Sequence, residues 1–117
     1  MKRVIIICEG PTEQEFCLEV LSEELVKYDV YVEAPLIKHS HGGIVAWDVI
    51  KRQILKHLQE GNVYVSMLVD YYGIKDQFAF PGWEESKNIA DKVERIHFLM
   101  DKMVEEISEQ YRYRFIP

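Results

Sequence analysis

Three carboxylates in this chain stand at positions suited to chemistry. Glu9 and Glu13 lie four residues apart across Gly10-Pro11, and Asp70 closes a second apolar run much later. Glu9 directly follows Val4-Ile5-Ile6-Ile7-Cys8, and folding alone does not call for an acid there. Carboxylates gathered at one point repel each other and need a cation, a shared proton or an arginine. A hard divalent ion such as Mg²⁺ (or Mn²⁺) answers that need, because it takes oxygen ligands and keeps waters for a phosphate substrate. Such an ion can polarise a phosphoryl oxygen and generate a nucleophilic hydroxide. In that reading Glu9 is the candidate general base or metal-bridging acid, and Glu13 and Asp70 are further ligands. Two of the acids also have a plain structural reading: Glu13 suits a helix N-terminus through the helix dipole, and Asp70 suits a turn.

The elements that would gather these acids can be read from the apolar pattern. A β-branched run is expected to form a strand buried on both faces over residues 3–8. A helix is expected over residues 12–27, with Thr12 as N-cap and Glu15 completing a capping box. Its buried stripe would be Cys17, Leu21, Leu25 and Tyr28, with Val20 beside them. The second strand, residues 30–37, contains Pro35, which argues for a sheet edge. A helix with Trp47, Ile50, Ile54 and Leu58 on its buried face follows and ends at Gly61-Asn62. The third strand, residues 63–69, ends at Asp70. Residues 71–83 form an aromatic-rich segment without periodicity, and a third helix is expected over residues 84–109. Its core side would carry Ile89, Val93, Ile96, Met100, Met103 and Ile107. Residues 112–116 turn extended again.

This alternation predicts one α/β domain spanning residues 1–117, a three-layer sandwich with a mainly parallel four-stranded sheet. With the two most apolar strands inside and the proline strand at an edge, the order is 2-1-3-4. Glu9 and Asp70 then sit at the C-terminal ends of neighbouring strands, roughly 5 Å apart in backbone spacing. Open α/β sheets bind ligands at such ends.

Lys38, His39, His41, Gly42 and Gly43 precede the second helix as a candidate phosphate or nucleic-acid contact, through backbone amides and nearby cations. An exposed polar loop and a zinc site are the alternatives. Lys51, Arg52, Lys56 and His57 give the second helix a basic outer face, read first as a solvated face and second as a rim for a nucleic-acid backbone. Tyr71, Tyr72, Phe78, Phe80 and Trp83 have the chemistry to stack on bases, or to pack against a second subunit or a further domain. Cys8 and Cys17 lack metal-type spacing and read as core-filling thiols. The net charge of −6 removes bulk attraction for nucleic acid, so contact with it must be local. No apolar run nears the roughly 20 residues needed to cross a bilayer, and no signal peptide is evident. A cytoplasmic location without membrane partners is the expectation.

Glu9-Gly-x-Thr-Glu13 after one apolar strand, and Asp70-Tyr71-Tyr72-Gly73 after another, resemble TOPRIM-like domains. More narrowly, the chain resembles a bacterial family of unknown function of the DUF4276 type, and it does so along nearly its whole length. The resemblance implies a Mg²⁺-dependent phosphoryl-transfer fold acting on nucleic acid, as in topoisomerases, primases and related nucleases. In the nuclease branch a Glu-x-x-x-Glu pair and an Asp-x-Asp motif bind metals. Glu9 and Glu13 match the first, and Asp70 matches the first acid of the second. Tyr72 replaces the second acid, with Asp76 as a nearby substitute. The resemblance also implies that relatives continue past Pro117, so that the domain is truncated at its C-terminus, and it implies association with a partner ATPase in phage defence. The rival reading is a non-catalytic interaction or homodimerisation module of such a system. A small-molecule phosphohydrolase is a third.

Overall fold

Strict alternation in β1 (Lys2–Cys8) decides the layering. Ile5 and Ile7 join one apolar cluster, whereas Ile6 and Cys8 join another on the opposite face, as period-two side chains must. The computed structural model describes residues 2–38 and 44–117. Its sheet has the order β2-β1-β3-β4, with β2 at Val30–Glu33, β3 at Val63–Leu68 and β4 at Phe115–Ile116. Every pairing is parallel. This is the order expected from the sequence, and β1 and β3 form its longest ladder, from Arg3↔Val63 to Cys8↔Leu68. β2 occupies an edge, and beyond Pro35 the chain touches β1 once more through the Cys8↔Leu36 bridge.

One face of the sheet is covered by the first helix, residues 11–28. It runs as α1 (Pro11–Phe16), a π-helical turn (Cys17–Leu21), α2 (Ser22–Leu25) and a 3₁₀ turn (Val26–Tyr28). Cys17, Leu21 and Leu25 pack against Ile6, Cys8 and Val32. Val20 and Tyr28, expected beside that stripe, are exposed. The expected capping box does not form: Gly10 is the N-cap, Pro11 fills N1, and no side chain caps the helix. Proline at the first helical position is pre-organised for that start, which places Thr12 inside the first turn.

The other face carries α3 (Trp47–Leu58) and α5 (Lys92–Glu106). Trp47, Ile50, Ile54 and Leu58 are fully buried against Ile5, Ile7, Val63 and Val65, as their spacing predicts. The third helix differs from expectation, because it breaks into α4 (Trp83–Ser86) and α5. Asp91 has extended backbone and its carboxylate accepts the Glu94 N–H at 2.9 Å, so a strong N-cap restarts the helix. Arg95 holds the intervening turn by donating to the Ile89 carbonyl at 2.7 Å. Val93 consequently faces solvent, and Leu99, Met103 and Ile107 form the buried side. Before β4 the chain makes a 3₁₀ segment, Glu109–Arg114, where extended structure was expected. Among the described residues no helix is long and apolar enough to cross a membrane.

Candidate active site

The ladder between β1 and β3 continues past both strands into the two acids. The Glu9 N–H donates to the Leu68 carbonyl at 3.1 Å, and the Asp70 N–H donates to Glu9 Oε1 at 2.9 Å. The Glu9 side chain thus closes the gap between adjacent strand tips. Asp70 turns outward, and its Oδ1 accepts the Tyr72 N–H at 3.0 Å, capping the 3₁₀ turn Tyr71–Gly73. Each carboxylate therefore has one oxygen fixed by backbone and a second oxygen outside those bonds. Among the described residues neither acid, nor Glu13, forms an ion pair with lysine or arginine.

Glu13 sits in the first turn of α1. It lines an open depression of about 450 Å³ together with Thr12, Phe16, Leu68, Val69 and Asp70. The glycines of both motifs lie against the acids. A Cβ at Gly10 would stand 3.4 Å from Glu13 Oε2, and one at Gly73 would stand 3.9 Å from Glu9 Oε1. Glu9 and Asp70 are thus brought together, and Glu13 shares a cavity wall with Asp70. Among the described residues, no three His, Cys, Asp or Glu side chains converge tightly enough to hold a metal ion between them.

Behind the acids lie the two thiols. Cys8 and Cys17 are fully buried with their sulfurs 3.8 Å apart. Burial pushes the Cys8 thiol up from 9.0 to about 12, with the neighbouring Cys17 and the Glu13 charge adding to the effect. Burial raises Cys17 as well. Both stay protonated and fill core space, as their spacing suggested.

Asp76 does not join the acids as a substitute ligand. Its carboxylate accepts from the Trp83 indole N–H at 2.7 Å and pairs with Lys87 at 3.0 Å. Those two partners, the indole first, hold it below the ordinary carboxylate value. The aromatic segment is mostly internal. Phe80 is buried against Trp47 with ring centroids 5.6 Å apart, and Tyr71, Phe78 and Trp83 pack on the core. Tyr72 alone of the five is exposed. Lys38 follows the Cys8↔Leu36 bridge, and its N–H donates to Gln53 Oε1 at 2.9 Å. His39, His41, Gly42 and Gly43 lie outside the described residues.

A family model described as a domain of unknown function, DUF4276, matches residues 8–117. The chain belongs to that family. No curated protein and no solved structure matches it. The matched region of this DUF4276 domain contains Glu9, Glu13 and Asp70 and begins at the last residue of β1.

Two further side chains, one on the depression and one on Tyr72, escaped the sequence reading. Phe16 forms an apolar wall of the depression; its place one helical turn after Glu13 was the available signal. Lys92, at the start of α5, bonds the Tyr72 hydroxyl and stands 4.4 Å from the centre of that ring. Twenty residues separate Lys92 from Tyr72, and nothing in local spacing pairs them.

Proposed function

We propose that this DUF4276 domain is a TOPRIM-like, Mg²⁺-dependent phosphoryl-transfer centre acting on nucleic acid, with Glu9 as the catalytic acid–base group and Glu9, Glu13 and Asp70 as the metal-facing set. The observation that carries the proposal is the 2.9 Å bond from the Asp70 N–H to Glu9 Oε1. It fixes two acids at the C-terminal ends of adjacent parallel strands, where open α/β sheets place their chemistry. Mg²⁺ binds through one or two carboxylates plus water and substrate phosphates, which accords with one oxygen of each acid lying outside the backbone bonds. When bound, the ion would supply charge stabilisation at the phosphoryl group. The chain's own residues orient it: the Tyr72 N–H aims Asp70, and the Asp70 N–H aims Glu9.

The test is cleavage of supercoiled and single-stranded DNA and of RNA in Mg²⁺ or Mn²⁺, comparing the wild-type chain with Glu9→Gln. Metal-dependent cleavage that disappears in the folded variant is the expected result. Equal cleavage by the two proteins, or none by either, refutes the assignment.

A second reading, a dimerisation or interaction module in an ATPase-linked assembly, is favoured by a different observation. Phe16, Leu18, Val20, Val26, Tyr28 and Tyr31 are each between 45% and 71% exposed on the first helix and β2. Exposed apolar side chains are the raw material of a contact site when they adjoin. Sedimentation that shows a dimer dissociated by Val20→Glu, with no nuclease activity, would favour that reading.

A further inference from the structure

A second charged site lies on the far side of α3 from its buried stripe and owes nothing to the three acids. Val49, Arg52, Gln53 and Lys56 recur at helical spacing along one side of α3, and Lys38 faces them across a cleft of about 260 Å³. Gln53 builds the cleft floor. It is only 4% exposed, accepts the Lys38 N–H at 2.9 Å and donates to the Leu36 carbonyl at 3.1 Å. These two hydrogen bonds to backbone clamp the chain after β2 onto α3 and set where the Lys38 side chain starts. Among the described residues, no carboxylate pairs with Lys38, Arg52 or Lys56. The nearby Lys51 is paired with Glu106 at 3.7 Å, and His57 contacts Glu60 at 3.2 Å. The chain carries a net charge of −6, so three cations on one cleft without a close carboxylate partner stand out against it. The Lys56 ammonium beside Lys38 depresses the Lys38 pKa below the ordinary lysine value, with desolvation adding and Glu60 opposing. Like charges held together are relieved by an anion.

We propose that this cleft binds a phosphate group, with Lys38, Arg52 and Lys56 as its cationic contacts and Gln53 as the side chain that positions Lys38. Arginine supplies a fork suited to two phosphate oxygens, and the lysines act as point charges. The phosphate can belong to a nucleic-acid backbone or to a small phosphorylated ligand. The site does not depend on metal chemistry at Glu9.

The experiment uses the full chain in EDTA, so that failure of the metal reading leaves it untouched. Inorganic phosphate is titrated against the isotopically labelled protein, and a fluorescent 12-nucleotide single strand is titrated by anisotropy at several salt concentrations. Phosphate should shift the signals of Val49 and Gln53, which line the cleft and are present in both proteins, and the combined Lys38→Ala/Arg52→Ala/Lys56→Ala variant should lose that response. Lys27→Ala, on the first helix, serves as a folded control that keeps it. If the backbone of a nucleic acid is the source, the same variant weakens strand binding by on the order of tenfold and flattens its salt dependence. Phosphate shifts without any change in strand binding assign the site to a small phosphorylated ligand. No shift with phosphate, or the same shift in the combined variant, overturns the proposal.

Discussion

Replacing Glu9 separates its structural work from its proposed metal work. In Glu9→Ala the Asp70 N–H loses the acceptor that lies 2.9 Å away. A hydrogen bond to a charged group contributes about 1.5–3 kcal/mol, and the exposed setting of this one places the loss at or just below the lower end, about 1–1.5 kcal/mol. Glu9→Gln keeps an amide oxygen in the same place, so its loss should stay near 0.5 kcal/mol or below by the same reasoning. Metal binding adds a second, separable quantity. An ion at ten times its dissociation constant stabilises the folded state by about 1.4 kcal/mol. For a domain of this size that is a rise in Tm of about 5 °C. Thermal unfolding in EDTA and in excess Mg²⁺ reads both quantities. Wild type should gain in Mg²⁺, Glu9→Gln should match wild type in EDTA yet gain nothing, and Glu9→Ala should be lower in both. An equal Mg²⁺ gain in wild type, Glu9→Gln and Asp70→Asn would refute the metal assignment. A Glu9→Ala protein as stable as wild type in EDTA would refute the bonding argument.

Other outcomes follow from particular contacts. Gly82 has φ +76°, and a Cβ there would stand 2.7 Å from Lys102 Cγ and 2.9 Å from Phe98 Cε1. Gly82→Ala should therefore cost about 2–4 kcal/mol in urea unfolding, combining left-handed backbone strain with overpacking; a loss below 1 kcal/mol contradicts this. Asp91→Ala removes the cap that restarts α5 and should cost about 0.5–2 kcal/mol, with amide exchange quickening first in residues 92–95. The buried thiols should resist iodoacetamide at pH 8 until the protein is denatured. Because folding favours the protonated Cys8 thiol, its contribution to stability is complete below pH 9.0 and is lost as the pH rises toward about 12. Cys8→Ala should show a shallower alkaline decline, and an unchanged slope contradicts the account.

The architecture was legible because the signals that define it are local and strong. Two apolar runs ending in acids, with Pro35 marking an edge, were enough to order the sheet and to bring Glu9 beside Asp70. The departures lie where a short-range chemical preference competes with periodicity. Ile89, Val93 and Ile96 read as one helical face, but the Asp91 cap interrupts them and turns Val93 outward. Pro11 moved the first helix start ahead of Thr12. The exact bonding of the acids was out of reach, because Asp70 Oδ1 answers to a backbone N–H two residues on and Glu9 to one sixty-one residues away. The pairing of Lys92 with Tyr72 likewise depends on how the start of α5 comes back against the turn after β3. The aromatic segment looked like a binding surface because sequence reports ring content and not orientation; four of its five rings turn inward.

The π-helical turn at Cys17–Leu21 has a consequence for evolution by insertion and deletion. A widened turn accommodates one more residue than a regular helix would, and one residue corresponds to roughly 100° of rotation about the axis. Removing one residue there would let the segment relax into regular helix while Glu13 and Leu25 keep their angular relation, whereas winding the same residues as regular helix would swing the two apart by that angle. The rod can thus lose a residue at this turn without turning the acid away from the strand tips.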